Sequence, residues 1–287
     1  MNPTDLRHLD VAAFSHPGLS GRNNEDRYAI ASYAGPAGKP VLFAVVCDGI
    51  GGHQAGEVAA QLAVDNIVES VSNSNGRDPL RIMETAIQAA SRAIASNAAL
   101  DPNRAGMGAT CACIWVESNR LYTAHVGDSR IYLLRRGRLR RLTVDHTWIE
   151  EAIDIGLITP EEASHHPNVH VLRRHLGSMS PPRVDFRQRI KGDEQDAEAR
   201  RKQGAALMLG DVLMACSDGL TNLLSEEEIA RLLTSSDGLQ VAAEELVAQA
   251  NERGGYDNET VILIGVTAAS SPQLQTSGAT LRKFLGH

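Results

Sequence analysis

Cysteine is scarce in this chain, with four in 287 residues: Cys47, Cys111, Cys113 and Cys216. All four fall inside apolar, strand-like runs, and only Cys111 and Cys113 are close in sequence, without the spacing of a zinc site. A disulfide scaffold is thereby excluded, and buried, reduced thiols in a cytoplasmic protein are expected. Long hydrophobic runs are missing too: no window approaches the roughly 18 apolar residues of a membrane span, and the start MNPTDLRHLD lacks a basic segment followed by an apolar one. Positive charge is short, with 28 Lys and Arg against 35 Asp and Glu, a net charge of −7 that argues against general affinity for nucleic acid. Aromatic residues make up only 4%. The basic run Arg135, Arg136, Arg138, Arg140 and Arg141 therefore lacks interleaved rings and reads as a solvated hairpin, or a docking surface for phosphopeptide, rather than a nucleic-acid patch. No linker divides the chain, so one domain over 1–267 is expected, with a polar, flexible tail over 268–287.

What is present is a mixture of two periodicities. VLFAVVC (Val41 to Cys47) is almost wholly apolar, which predicts a strand covered on both faces. Val64, Ile67, Val68 and Val71 then repeat at helical spacing. A second helix is predicted behind Asp78-Pro79, an N-cap followed by proline, with Met83, Ala86, Ile87, Ala90, Ala93, Ile94 and Asn97 on one face. From Thr110 to Thr143 four short strands follow, separated by tight turns that imply antiparallel pairing. Residues 147–182 are mixed in character and read as a flap over a site, while Lys191 to Gly204 is polar, without apolar periodicity, and reads as an exposed loop or extended hairpin. Strand DVLMACS, a capping box at Ser225 and Glu228, a helix through Leu239 to Ala250 stopped by Gly254-Gly255, and strand TVILIGVT (Thr260 to Thr267) complete the pattern.

Four aspartates mark the ends of these strand-like runs. Asp48 follows VLFAVVC, Asp128 follows TAHVG, Asp218 follows LMACS and Asp257 precedes TVILIGV; Glu25-Asp26 opens a further strand-like segment. Any one Asp-Gly after a strand is an ordinary turn signal. Together, however, these carboxylates can converge on one edge of a packed sheet pair, where they would repel one another unless divalent cations neutralised them. Oxygen-rich sites suit Mg²⁺ or Mn²⁺, and two such ions about 4 Å apart can hold a shared water for in-line attack on phosphorus.

The segments NNEDR (Asn23 to Arg27), VCDGIGGHQAGE (Val46 to Glu57), GATCAC (Gly108 to Cys113), HVGDSRIYL (His125 to Leu133), CSDGL (Cys216 to Leu220) and YDNET (Tyr256 to Thr260) occur in the order and spacing of a known family. From about Phe14 to Thr267 the chain resembles the protein phosphatase 2C family of metal-dependent serine/threonine phosphatases, its bacterial members above all. The resemblance implies an α+β fold: a four-layer α-β-β-α sandwich of two stacked antiparallel sheets flanked by helices. It implies that Asp48 bridges two Mg²⁺ or Mn²⁺ ions, that the Gly49 carbonyl and Glu25, through water, complete one ion, and that Asp218 and Asp257 hold the other. Asp26 is implied as a water-mediated ligand, and Asp128, with Asp218, as the holder of a third, weaker ion. Asp48, Asp218 and Asp257 are the expected catalytic residues. The implied partners are phosphorylated proteins, substrates of a serine/threonine kinase, for a monomer with no membrane or nucleic-acid partner.

The pattern also departs from the family at identifiable places. Relatives carry a phosphate-gripping arginine four residues before the glutamate of NED, where this chain has Gly21, with Arg22 one residue later. Asn222 replaces an aspartate found in many relatives, which weakens a third-ion site, and Ile50 stands where some animal relatives have a general-acid histidine. His53, in its glycine-rich turn, is balanced between a proton donor and a structural role, and His165, His166, His170 and His175 lack zinc spacing and read as flap surface. The alternative function is a regulatory module of the same fold that binds metal or phosphopeptide without turnover.

Overall fold

A computed structural model describes residues 1–5, 8–51, 55–163, 166–191 and 194–267. Strands β1 (Asn2–Pro3), β2 (Asp10–His16), β3 (Arg27–Ala34), β4 (Pro40–Cys47) and β5 (Gly49–Ile50) precede helices α1 (Ala55–Ser72) and α2 (Pro79–Leu100). Next come β6 (Gly108–Ala109), β7 (Cys111–Glu117), β8 (Arg120–Val126), β9 (Arg130–Arg135) and β10 (Arg138–Arg141), then short helices α3 (Trp148–Asp154), α4 (Pro160–Ala163) and α5 (Asp196–Arg201). The chain continues through β11 (Ala205–Ala206), β12 (Val212–Cys216), α6 (Asp218–Thr221), α7 (Glu226–Ser235), α8 (Leu239–Glu252) and β13 (Glu259–Gly265).

The strands form two antiparallel sheets, ordered β1-β3-β4-β7-β8-β11 and β10-β9-β12-β13-β2, with β5 and β6 paired separately. The alternation of side chains along each strand places the three cores. On β4, Leu42, Ala44 and Val46 face the other sheet, where they meet Ile131, Leu133, Leu213, Ala215, Ile262 and Ile264. Phe43, Val45 and Cys47 face outward, under α1 and α2. The second sheet repeats this arrangement: Tyr132, Met214, Cys216, Val261 and Leu263 pack outward against Ala243, Leu246, Val247 and Ala250 of α8. The result is the four-layer α-β-β-α sandwich expected of the sequence. Every residue from Val41 to Cys47 is buried, at about 1.5–3 kcal/mol for each large apolar side chain, so β4 is a rigid support for the residue that follows it.

Local chemistry sets the element ends. Asp78 caps α2 by accepting from the Arg81 amide, and Ser225 and Glu228 complete the capping box of α7. Three of the four edges of the two main sheets are short or charged. The larger sheet ends in two-residue strands on both sides, and β10 exposes Arg138 and Arg140.

Three expectations are corrected by the structure. Lys191 to Gly204 is not a bare loop or hairpin, because α5 forms within it. Its single apolar contact is Ala199, fully buried, and ion pairs from Arg187 and Arg189 to Asp196 tie it down. Gln203 completes the anchor by bonding the backbone of Thr123 in both directions, at 2.9 and 2.8 Å. A helix of six residues needs only one buried position, so no periodicity announces it. Strand β2 was also not expected, yet it pairs with the whole of β13, from His16 opposite Glu259 to Asp10 opposite Gly265. That pairing starts β13 at Glu259 rather than Thr260 and ends it at Gly265. Finally, on α2 the buried face includes Ser91 rather than Ala93 and Asn97, its hydroxyl accepting from the Gly177 amide. His53, His165 and the tail from Ala268 lie outside the described residues.

The segment expected to be a flap starts at Thr147, whose side chain caps α3, and it is held at the end of the sandwich where β4 terminates. Isolated bridges join Thr147 to Leu172, Ala109 to Leu176 and His125 to Asp185. Arg130 grips Asp145 through Nε and Nη2, and Arg141 reaches both Asp145 and Glu150 of α3.

Candidate metal centre

β4 delivers Asp48 to the end of the sandwich, and Thr110 fixes it there. The Thr110 amide donates to the Asp48 carbonyl at 2.8 Å, and the Asp48 amide donates to Thr110 Oγ1 at 3.1 Å. The same hydroxyl lies 2.6 Å from Ser129 Oγ, so the loop bearing Asp128 is tied to Asp48 through two buried hydroxyls. Gly127 adopts φ +104°, and any β-carbon there would lie 2.6 Å from Thr110, which makes glycine obligatory beside Asp128.

Glycines also bring Glu25 close to Asp48. A β-carbon on Gly49 would lie 2.1 Å from the Gly56 carbonyl and 2.8 Å from that of Glu25, and one on Gly56 would strike the Glu25 carboxyl at 2.7 Å. On the other sheet, β12 and β13 deliver Asp218 and Asp257. Asn258 stitches them to the acidic loop: its side chain accepts from the Glu25 amide at 2.7 Å and donates to the Pro17 and Asn23 carbonyls. Ser217 Oγ donates to Asp26 at 2.6 Å and accepts from the Thr260 amide.

The electrostatics of this convergence are strongly unfavourable without cations. Burial, followed by repulsion from Asp26, Asp218, Asp128 and Asp257, pushes the Asp48 carboxyl well above the usual carboxylate range. Burial and then the Asp218 charge raise Asp128 to about 8, and burial, offset in part by the Ser217 hydroxyl, raises Asp26 to about 7. Glu25 and Asp218 are raised as well, by burial first and by Asp257 second. Such a cluster either holds protons or takes up metal. The donors are all oxygen, and one buried Asp26 oxygen, Oδ1, has no partner, so the residues present fit a hard divalent ion such as Mg²⁺ or Mn²⁺.

Of the residues singled out from sequence, Asp48, Gly49, Glu25, Asp26, Asp128, Asp218 and Asp257 all gather at this end. Arg22 is exposed beside them, close enough that its charge lowers the Glu25 carboxyl against the dominant effect of burial. Gly21 has φ +73° with open space around it, so the chain bends immediately before Arg22. Asn222 donates to Asp218 Oδ2 at 3.0 Å, occupying one face of that carboxylate.

A more compact donor cluster lies nearby, formed by His125, His146 and Asp185, all buried. Its hydrogen bonds oppose a metal. His146 Nδ1 accepts from the Gly127 amide at 3.0 Å, which puts the proton on Nε2, 3.2 Å from Asp185; His125 Nε2 faces the Val144 carbonyl at 2.8 Å and donates to it. Arg187 donates to the same Asp185 oxygen, Oδ2, and against burial the bonds from His146 and Arg187 hold that carboxyl far below its ordinary range. The cluster is therefore a brace that steadies Gly127, and with it Asp128. His166, in the segment expected to be a flap, likewise has a packing role, its ring stacked on that of Trp148 with centroids 4.5 Å apart.

Sequence reasoning did not single out Thr110, Ser129, Ser217 or Asn258 as individual residues. Each sits inside a motif that was noticed for its acid or glycine, and its role appears only when distant segments are paired.

A β-sandwich with a buried acidic cluster at one end, braced by hydroxyls and a charged network, is a layout suited to holding divalent cations. Residues 22–152 match the model of the family described as Protein phosphatase 2C. The serine/threonine protein phosphatase PstP of Mycobacterium tuberculosis is 36% identical over 268 residues, covering 93% of this chain but 47% of that protein, so the chain spans about half of that relative's length. The serine/threonine phosphatase stp of Listeria welshimeri is 32% identical over 84% of this chain and 90% of its own length. Among solved structures, the serine/threonine phosphatase of S. agalactiae superposes with a TM-score of 0.77 at 31% identity, covering 90% of this chain and 99% of that one. The catalytic domain of PstP, solved in complex with two manganese ions, superposes at 0.71 with 35% identity, covering 90% of this chain and 98% of that one. The chain belongs to the protein phosphatase 2C family.

Proposed function

We propose that this chain is a phosphoprotein phosphatase that hydrolyses phosphoserine and phosphothreonine with two Mg²⁺ or Mn²⁺ ions. The observation that carries this reading is the convergence of Glu25, Asp48, Asp218 and Asp257, from both sheets, on one centre where burial and the neighbouring acids raise the proton affinity of Glu25, Asp48 and Asp218. Asp48, the Gly49 carbonyl and, through water, Glu25 would hold one ion, and Asp48, Asp218 and Asp257 the other, with Asp26 also reaching the centre through water. When bound, the ions supply Lewis-acid activation of a water and neutralise charge on the phosphoryl oxygens. Asp128 and Asp218 would hold a third ion weakly, since Asn222 already engages Asp218. The catalytic unit is 1–267, the flap at 147–182 borders the site, and the substrates are products of a serine/threonine kinase, met by a cytoplasmic monomer.

The test is direct. Purified protein, given a chromogenic aryl phosphate or a phosphothreonine peptide, turns both over with Mn²⁺ and stops when a chelator is added. Metal-dependent peptide binding without turnover would instead select the regulatory module.

Arg22 has a distinct task in this reading. The ions already attract the phosphate dianion, so an arginine adds orientation and a two-pronged grip. The bend at Gly21 brings it to the rim beside Glu25. The Arg22→Ala variant is expected to raise KM for a phosphothreonine peptide roughly tenfold with a smaller change in kcat, and lysine to rescue only in part. Steady-state kinetics in which neither parameter moves would leave Arg22 without this role.

A further inference from the structure

We infer that Leu19 and Tyr256 form a subsite for an apolar side chain next to the phosphorylated residue of the substrate; this rests on the phosphatase reading and adds a sequence preference to it. Leu19 is 63% exposed and Tyr256 72%, a costly placement for large apolar groups unless something covers them. Isolated exposed hydrophobic residues are ordinary on protein surfaces, but these two share one support and one location.

The support is the turn Gly254-Gly255, both residues with positive φ. A β-carbon on Gly254 would lie 2.3 Å from the Tyr256 ring, and one on Gly255 would lie 2.9 Å from Leu19 Cγ, so the two side chains rest on adjacent bare stretches of backbone. Their segments are fastened together: the Leu19 amide donates to the Gly255 carbonyl at 2.7 Å, and Gly18 is packed so closely on the Asp257 carbonyl that a β-carbon there would lie 2.2 Å away. Asn258 clasps the same loop at the Pro17 and Asn23 carbonyls. Side chains presented by a fixed backbone lose little freedom when a ligand covers them.

The location is the rim of the acidic centre. Tyr256 adjoins Asp257, and Leu19 lies three residues before Arg22, so both flank the place where the phosphate must sit. Arg253, immediately before the turn, is engaged elsewhere, its guanidinium held by Glu228 and the Leu223 carbonyl. A peptide whose phosphorylated residue enters the centre must run its next side chain across this rim, and a leucine or phenylalanine there would cover both groups.

Three phosphothreonine peptides differing only beside the phosphothreonine test this: glycine on both sides, leucine before it, and leucine after it. With Mn²⁺ the wild type is expected to favour one leucine peptide over the glycine peptide about tenfold in kcat/KM, the scale of a single apolar side chain in its pocket. In Leu19→Ser/Tyr256→Ala that ratio falls towards one, while Tyr256→Phe keeps it. Fluorescence anisotropy of the labelled peptides reads the same ratio as affinity, so the subsite is decided even if turnover is absent. A wild type that does not discriminate among the peptides, or a preference that survives in the double variant, overturns the subsite. Absence of turnover with preserved peptide preference overturns only the phosphatase reading.

Discussion

Asp48→Asn or Asp218→Asn is expected to lower kcat about a thousandfold or more while the protein remains folded. Each substitution removes charge needed to hold the ions, and the several kcal/mol of transition-state stabilisation they provide correspond to roughly a decade per 1.4 kcal/mol. The same change should act in the opposite direction on stability. The Asp48 carboxyl is raised far above its ordinary range by burial and by four neighbouring acids, so in the metal-free protein its ionisation opposes folding at neutral pH. The asparagine variant, which carries no such charge, should melt at a higher temperature than the wild type in chelator. Near-normal turnover by either variant would remove these residues from the centre, and a lower metal-free melting temperature for Asp48→Asn would contradict the repulsion.

Mn²⁺ or Mg²⁺ should raise the melting temperature, and more so at pH 8 than at pH 5. Asp26 and Asp128 have folded-state values of about 7 and about 8, both above the ordinary aspartate value. A group raised in this way contributes stability while it keeps its proton, and that contribution is lost as pH rises through the folded value. Between pH 5 and pH 8 the empty centre thus becomes progressively less favourable, while ions no longer compete with protons for the same oxygens. An ion present at about a hundred times its dissociation constant stabilises by about 2.7 kcal/mol, which for a fold of this size is roughly 5 to 10 °C. Thermal melts at millimolar metal and in chelator, at the two pH values, check the sign. No shift at either pH would count against a metal centre, and an equal shift at both would count against proton competition.

Which parts of this molecule could be read in its sequence follows from how far each signal extends. Val41 to Cys47 announces a doubly covered strand by itself, and Asp48 at its end was legible for that reason. Asp128, Asp218 and Asp257 were legible as strand-end acids, though only their number raised them above ordinary turns. Residues whose meaning depends on a distant partner were not. Thr110 matters through Ser129, 19 residues away, and Ser217 through Asp26, 191 residues away, and a lone hydroxyl beside a strand end carries no periodic mark. Strand β2 (DVAAFSH) was missed because its residues are mostly half-buried at a sheet margin, which mutes the alternation of apolar and polar positions. Helix α5 was missed because one alanine and one aspartate suffice to hold it.

The uneven margins of the two sheets bear on how copies of this chain would meet when crowded. A strand from another molecule adds most readily to a long, uncharged edge. The larger sheet offers only two-residue strands on either side, and β10 presents arginines that would repel the same strand from a second copy. Among the described residues this leaves β2, seven residues long and without Lys or Arg, as the margin where strand addition between copies would start. Any precipitation that proceeds by edge pairing should therefore respond to a lysine placed on β2 and be indifferent to one placed on β1 or β11.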